Sequence, residues 1–101
     1  MRAQGIDTPM TTIDLGLQSA IEIAKGDQLK ATGSQRPYDQ GVAEALAMMN
    51  ALIGKETPPW IAVQSLPVVQ SNVLESYKIV FKKDPPPELL DACNKAKPAC
   101  N

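Results

Sequence analysis

The spacing of apolar residues changes period twice in the first half of the chain, and this alternation constrains the fold more than any other feature. Residues 9–14 carry two β-branched threonines and an isoleucine after a proline, which favours a short strand. The next apolar residues repeat at helical spacing: Leu17, Ala20, Ile21 and Ala24. Lys25 and Gly26 supply a basic last turn and a glycine stop, so the order is strand, then helix.

A second strand and a second helix follow at once. Residues 29–35, placed between two helical segments, are predicted to form a strand, and the short connection implies that it runs parallel to the first. From Pro37 to Gly54 the chain is again helical, with proline in the first turn and glycine just past the last. One helical face is apolar and is expected to face the core: Val42, Ala45, Leu46, Met49, Leu52 and Ile53.

Prolines interrupt the pattern after residue 56. Extended chain is predicted over residues 61–69, and Pro67 restricts it to an edge strand or a crossing segment. Asn72 and Glu75 have the spacing of a capping box, which predicts a helix that starts there and ends before Asp84. The residues that this helix should bury are Val73, Tyr77, Val80 and Phe81. A last short helix is expected over residues 88–95.

The predicted class is therefore α/β: a partial parallel sheet with flanking helices, in the order βαβα, crossing strand, αα. All 101 residues are assigned to one domain. Parallel sheets are normally covered on both faces and continue on both sides, which two or three strands alone do not achieve. Either the chain belongs to a longer α/β protein, or its exposed sheet edge pairs with a second copy or another polypeptide.

Composition and charge exclude several functions. The formal charge is −1 and the largest basic cluster is Lys82-Lys83, so a nucleic-acid partner is not expected. No apolar run approaches the roughly 20 residues of a membrane span. The chain has no histidine, no Gly-x-Ser-x-Gly sequence and no phosphate-binding loop, so we expect neither an enzyme nor a metal site, and no cofactor.

Both termini bear on the cellular compartment. The stretch Met1–Asp7 has one positive charge but no apolar segment after it, so it is not predicted to be a secretory signal. Cys93 and Cys100 lie close together near the other end. A disulfide between them is favoured and would imply an oxidising compartment, the alternative being two free thiols on a frayed tail.

Four segments together resemble one protein family. They are PMTTIDLG at 9–16, ATGSQRPYDQG at 31–41, LIGK at 52–55 and LPVVQSNV at 66–73. In this order and spacing they resemble the C-terminal third of type I periplasmic sugar-binding proteins, the ribose-binding type, of bacterial ABC transporters. The resemblance extends from about Pro9 to Ala92, and its most specific part is the Gln-x-Pro-Tyr-x-x-Gly stretch that starts at Gln35.

The resemblance implies a two-lobed fold that traps a small neutral carbohydrate between its lobes and delivers it to an ABC permease in the periplasm. Residues 9–56 would be the βαβα part of the second lobe, residues 57–71 the hinge crossing strand, and residues 72–101 the terminal helices and tail. The first lobe has no counterpart in this sequence. The alternative is an assembly half-domain that binds no sugar and forms a homo-oligomer through its sheet edge.

Two residues match family positions that contact sugar. Asp14 and Gln35 each follow a predicted parallel strand, and ligands of open parallel sheets sit beyond the carboxyl ends of the strands. The alternatives are that Asp14 caps the following helix and that Gln35 is an ordinary loop residue. Arg36 and Trp60 are weaker candidates: Arg36 is otherwise a surface charge, and Trp60 either stacks on a sugar ring or packs against the hinge.

Overall fold

The computed structural model of the protein describes residues 4–100. Residues 1–3, part of the stretch considered as a signal, and residue 101 lie outside the described residues. The strands are β1 (Met10–Ile13), β2 (Leu29–Ser34) and β3 (Leu66–Val69). The helices are α1 (Leu17–Lys25), α2 (Pro37–Leu52), α3 (Val73–Phe81) and α4 (Pro87–Lys95), with a short 3-10 turn (Gln70–Asn72) before α3. The α/β class is confirmed.

The sheet is mixed, not purely parallel. Its order is β1-β2-β3, with β1 parallel and β3 antiparallel to β2. The predicted extended stretch from Ile61 is too long, because pairing with β2 begins only at Leu66 opposite Ser34. Pro67 does lie in an edge strand. The third strand is antiparallel because residues 53–65 lead the chain back to the end of the sheet that β2 left, so β3 must run the opposite way.

One face of the sheet carries the core. The apolar side chains of this cluster come from α1, β3, α3, α4 and the tail, with α4 packed on α1. They are Leu15, Ala20, Ile23, Ala24, Val68, Val73, Tyr77, Val80, Leu89, Ala92, Cys93 and Cys100. The predicted burial of Val73, Tyr77 and Val80 is confirmed, whereas Phe81 is half-buried. The residues on the opposite sheet face, such as Ile13 at 74% exposure, are open to solvent.

The end of α1 and the start of α3 are joined by one side chain. Gly26 has a φ of 70°, and a Cβ there would lie 2.5 Å from the Gln70 amide nitrogen. That nitrogen donates a hydrogen bond to the Ala24 carbonyl at 2.8 Å. Glycine is therefore required twice at the end of α1, by its left-handed backbone and by the close approach of Gln70.

The capping box predicted at Asn72 and Glu75 is wrong. The Asn72 side chain accepts a hydrogen bond from the Val69 backbone N–H at 2.8 Å and donates one to the Pro67 carbonyl at 3.1 Å. It makes no side-chain cap to α3. The Asn72 side chain instead caps the 3-10 turn that precedes α3, because its amide bonds backwards to Val69 and Pro67.

The apolar face of α2 does not enter the core. No residue of this 16-residue helix is buried, and Met49, predicted to be a core residue, is 59% exposed. Helix α2 and the return segment 53–65 form a protruding unit that we call the arm. The arm gives the molecule a long axis of 58 Å and a radius of gyration of 17.3 Å, against about 13 Å for a compact domain of this length. The remainder is called the body.

The tail is fastened to α4. A disulfide joins Cys93 to Cys100 with a Cα–Cα distance of 5.2 Å, and both cysteines are buried. No helix between residues 4 and 100 is both long enough and apolar enough to cross a membrane.

Candidate functional site

Asp14 and Gln35 lie at the same rim of the sheet. Asp14 directly follows β1 and Gln35 directly follows β2, and the two strands are parallel with Ile13 paired to Gly33. The Asp14 N–H donates to the Gly33 carbonyl at 3.0 Å, which extends the pairing by one residue beyond the strand. Both side chains are exposed. The carboxylate and the amide therefore emerge from neighbouring strands at their carboxyl ends, where open sheets bind ligands.

The backbone at Asp14 is held in an uncommon conformation. Its φ is 71°, in the left-handed region that costs most L-residues about 1–2 kcal/mol and that Asp and Asn tolerate best. The buried Thr32 hydroxyl lies 3.0 Å from the Asp14 carbonyl and 3.1 Å from the Thr12 carbonyl, and so bridges the strand ends. Leu15, buried in the core, anchors the other side of the turn.

The carboxylate of Asp14 makes no stabilising interaction among the described residues. The alternative that it caps α1 is wrong, because Gly16 is the N-cap and its N–H donates to the Ser19 hydroxyl at 2.8 Å. Within residues 4–100, neither a hydrogen bond nor an ion pair engages the Asp14 carboxylate. A strained, exposed and unpaired acid is available to an external ligand.

A shallow cleft lies over the open face of the sheet beside this rim. Its volume is about 490 Å³, and its lining is Thr11, Thr12, Ala31, Thr32, Gly33, Ser65 and Pro67. A Cβ placed on Gly33 would meet no atom within 4 Å, so the glycine leaves room in the cleft without being required by a turn. Asp14 and Gln35 do not line the cleft but follow the two strands that form its floor. The lining carries no charged side chain and its surface is mostly apolar, with Thr11, Thr12 and Ser65 as hydroxyl-bearing residues, so it suits an uncharged ligand.

The two weaker candidates are placed elsewhere. Arg36 is half-buried, and its Nε lies 2.6 Å from Oδ2 of Asp39. Trp60 is 74% exposed on the return segment of the arm and does not line the cleft, so its predicted packing against the hinge is wrong. Tyr38, the second residue of α2, is 57% exposed under the Lys82 ammonium.

Asp39 fastens the arm to the body. Its second oxygen accepts from Lys82 Nζ at 2.9 Å, so one carboxylate of α2 joins Arg36 at the rim and Lys82 at the end of α3. Hydrogen bonding from Lys82, and then from Arg36, lowers the pKa of the Asp39 carboxyl against the opposing effect of desolvation. Lys82 reaches Asp39 from a left-handed backbone position just past α3, with a φ of 53°.

We expect Asp39→Asn to widen the distribution of arm orientations without unfolding the body. A carboxyl whose pKa is lowered by folding stabilises the native contact above its ordinary pKa of 3.8, and this stabilisation is lost as the pH falls through the lower native value. The arm of the wild type should therefore become free to change its orientation only below about pH 3.8. The arm of the variant should already be free at neutral pH. Energy transfer from Trp60, the single tryptophan, to an acceptor on an introduced Lys30→Cys measures the orientation.

Glu44→Gln provides the control, since it removes the same charge from the same helix away from the arm base. An Asp39→Asn distance distribution identical to that of Glu44→Gln at neutral pH would show that the ion pairs do not hold the arm.

Sequence reasoning missed the partnership of Asp39 with Lys82, which lie far apart in the sequence, and the cleft over the open face of the sheet. The sequence pattern predicts Thr11 and Thr12 only as strand formers, because the cleft that they line is completed by Ser65 and Pro67, which are distant in sequence. Comparisons of the chain with protein-family models, curated proteins and solved structures found no match.

Proposed function

We propose that the protein is the carbohydrate-binding component of an ABC-type sugar uptake system, with Asp14 and Gln35 as ligands of a small neutral sugar. The observation that carries the proposal is their position at the carboxyl ends of adjacent parallel strands, next to an uncharged cleft. A carboxylate accepts hydrogen bonds from two hydroxyls, and an amide both donates and accepts. The segments that resemble type I periplasmic sugar-binding proteins include both residues.

The arm is consistent with a hinged protein. It leaves the body after Gln35 and returns before Leu66, so both connections lie at the rim that carries the proposed ligands. In a periplasmic sugar-binding protein of type I, hinge strands cross beside the ligand cleft, and we assign the returning connection, within residues 57–71, to the hinge crossing strand. A disulfide at Cys93 and Cys100 supports the periplasmic location, since such bonds persist in oxidising compartments.

A ligand held by this rim alone contacts only one side of the proposed inter-lobe cleft. We therefore expect weak binding of a pentose, a hexose or a sugar alcohol, with a Kd on the order of 1 mM. NMR titration of the labelled protein with a panel of these sugars should move the amide signals of residues 11–14 and 32–35. Asp14→Asn tolerates the left-handed backbone but loses the charge-assisted hydrogen bonds, and should weaken binding at least about tenfold.

Two further variants sharpen this test. Gly33→Val fills the cleft on a strand that favours β-branched residues, so binding should vanish while stability is kept. Asp7→Asn removes an exposed carboxylate before the amino end of β1 and should bind like wild type. The proposal fails if no sugar shifts the rim signals, or if Asp14→Asn and Asp7→Asn bind equally well.

A second candidate function is an assembly half-domain that pairs its sheet edge with another chain. The favouring observation is β1, an edge strand with all four residues exposed whose pairing within residues 4–100 is with β2 alone. Thr11→Pro would remove a backbone N–H from this edge, and a complex that depends on strand addition should be lost in that variant.

A further inference from the structure

The arm carries an apolar surface that no residue of the described body, 4–36 and 66–100, covers. Helix α2 has two acidic residues and no basic residue among its 16 positions. Its large apolar side chains are exposed to between 46% and 78%: Val42, Leu46, Met48, Met49, Leu52 and Ile53. A helix of this composition is normally buried.

Four of these residues face away from the rest of the arm. The return segment contacts the opposite side of α2, where Gln40, Ala43 and Glu44 line a small cleft with Ile61 and Val63. On a helical projection Val42, Leu46, Met49 and Ile53 lie within about 60° of one another, and Ala43 lies about 100° from Val42. The four residues form a continuous stripe, which we call the α2 stripe, and it is directed outward from the molecule.

The α2 stripe is complementary to itself. Its residues are spaced four, three and four apart, the spacing of a coiled-coil seam, and this spacing is the same in both directions. A second helix placed antiparallel about a two-fold axis between Ala47 and Met48 would set Val42 against Ile53 and Leu46 against Met49. β-Branched residues then meet β-branched residues, and unbranched chains meet unbranched chains. A contact of this kind is what a two-fold dimer requires.

The available area suits a dimer at the small end of the stable range. The four stripe residues and Leu52 on its flank, each losing about 60–120 Å², remove on the order of 300–600 Å² per copy, which at most reaches the roughly 600 Å² per partner of the smallest specific interfaces. Glu44 lies on the far side of the helix from the α2 stripe, so no charge is buried. The only other acid of the helix, Asp39, is paired to Arg36 and Lys82 at its base.

We infer that the α2 stripe binds the α2 stripe of a second copy of this chain, in an antiparallel helix pair about a two-fold axis. This association is independent of sugar binding at the rim. It also differs from pairing at the β1 edge, because it uses side chains of the arm and leaves the sheet edges free.

Sedimentation of the full chain from about 1 µM to about 1 mM tests the inference. A species of about 22 kDa, twice the 10.9 kDa of one chain, should form as concentration rises. Leu46→Glu places two charges in the seam and should weaken the dimer at least about 100-fold. Ala51→Glu adds the same charge on the opposite side of the same helix and should leave the dimer intact.

Because Leu46 is exposed in the single chain, Leu46→Glu should keep the circular dichroism spectrum and melting temperature of the body. A chain that stays monomeric throughout would overturn the inference. So would a dimer that Leu46→Glu leaves unchanged, or one that Thr11→Pro abolishes while Leu46→Glu does not.

Discussion

Leu89→Ala should lower the free energy of unfolding by about 3 kcal/mol or more, the largest effect that we expect of any single substitution. Leu89 is fully buried in α4, among the largest enclosed side chains of the core, and α4 packs directly on α1. Truncation removes apolar contacts and leaves a cavity that two packed helices cannot close. The free energy of unfolding of small domains is only about 5–15 kcal/mol, so this substitution would remove a large part of the stability of the protein. Urea unfolding followed by circular dichroism measures the change.

The neighbouring leucine supplies a matched control. Leu90 is 41% exposed on the same helix, so Leu90→Ala deletes the same atoms without emptying the core. Its effect should stay below about 1 kcal/mol. Equal losses for the two variants would show that α4 does not bury the face seen in this structure.

Reduction of the Cys93–Cys100 disulfide should have the next largest effect. The bond closes a short loop with a sequence separation of 7, and the chain-entropy model assigns such a loop about 2.5 kcal/mol. It also holds the buried Cys100 against α4, so the tail covers part of the core only while the bond is intact. Thermal melts with and without a phosphine reductant should differ by on the order of 10 °C.

A double variant, Cys93→Ala with Cys100→Ala, should melt near the reduced wild type and show no further response to reductant. If the oxidised and reduced wild-type proteins melt together, the disulfide does not stabilise the fold. The proposed oxidising compartment would then lose its physical support from this bond.

Local signals located most of the elements. The period of four apolar residues and the stop at Gly26 predicted α1 to the residue, Pro37 marked where α2 begins, and the prolines at 85–87 separated α3 from α4. These features depend on backbone geometry within a few residues, so they need no knowledge of distant contacts. The rim position of Asp14 and Gln35 also followed from the sequence, because a short strand–helix–strand connection sets two strands parallel.

Nonlocal contacts escaped sequence reasoning. An apolar stripe on α2 indicates a surface that packs against another apolar surface, but it does not indicate whether that surface belongs to the same chain. In the structure the stripe is exposed. The pairing of Asp39 with Lys82 joins residues that are neighbours only after α3 has folded. The antiparallel direction of β3 likewise follows from where the arm returns, which no local pattern encodes.

The amino-acid sequence by itself determined where the strands and helices form, that the class is α/β, and that two hydrogen-bonding side chains end adjacent strands. Only the tertiary structure decided which apolar face is buried, that the sheet is mixed, and that the Asp14 carboxylate has no partner among residues 4–100. Secondary structure depends on interactions a few residues apart, whereas burial, strand direction and the freedom of a side chain depend on which distant segments come together.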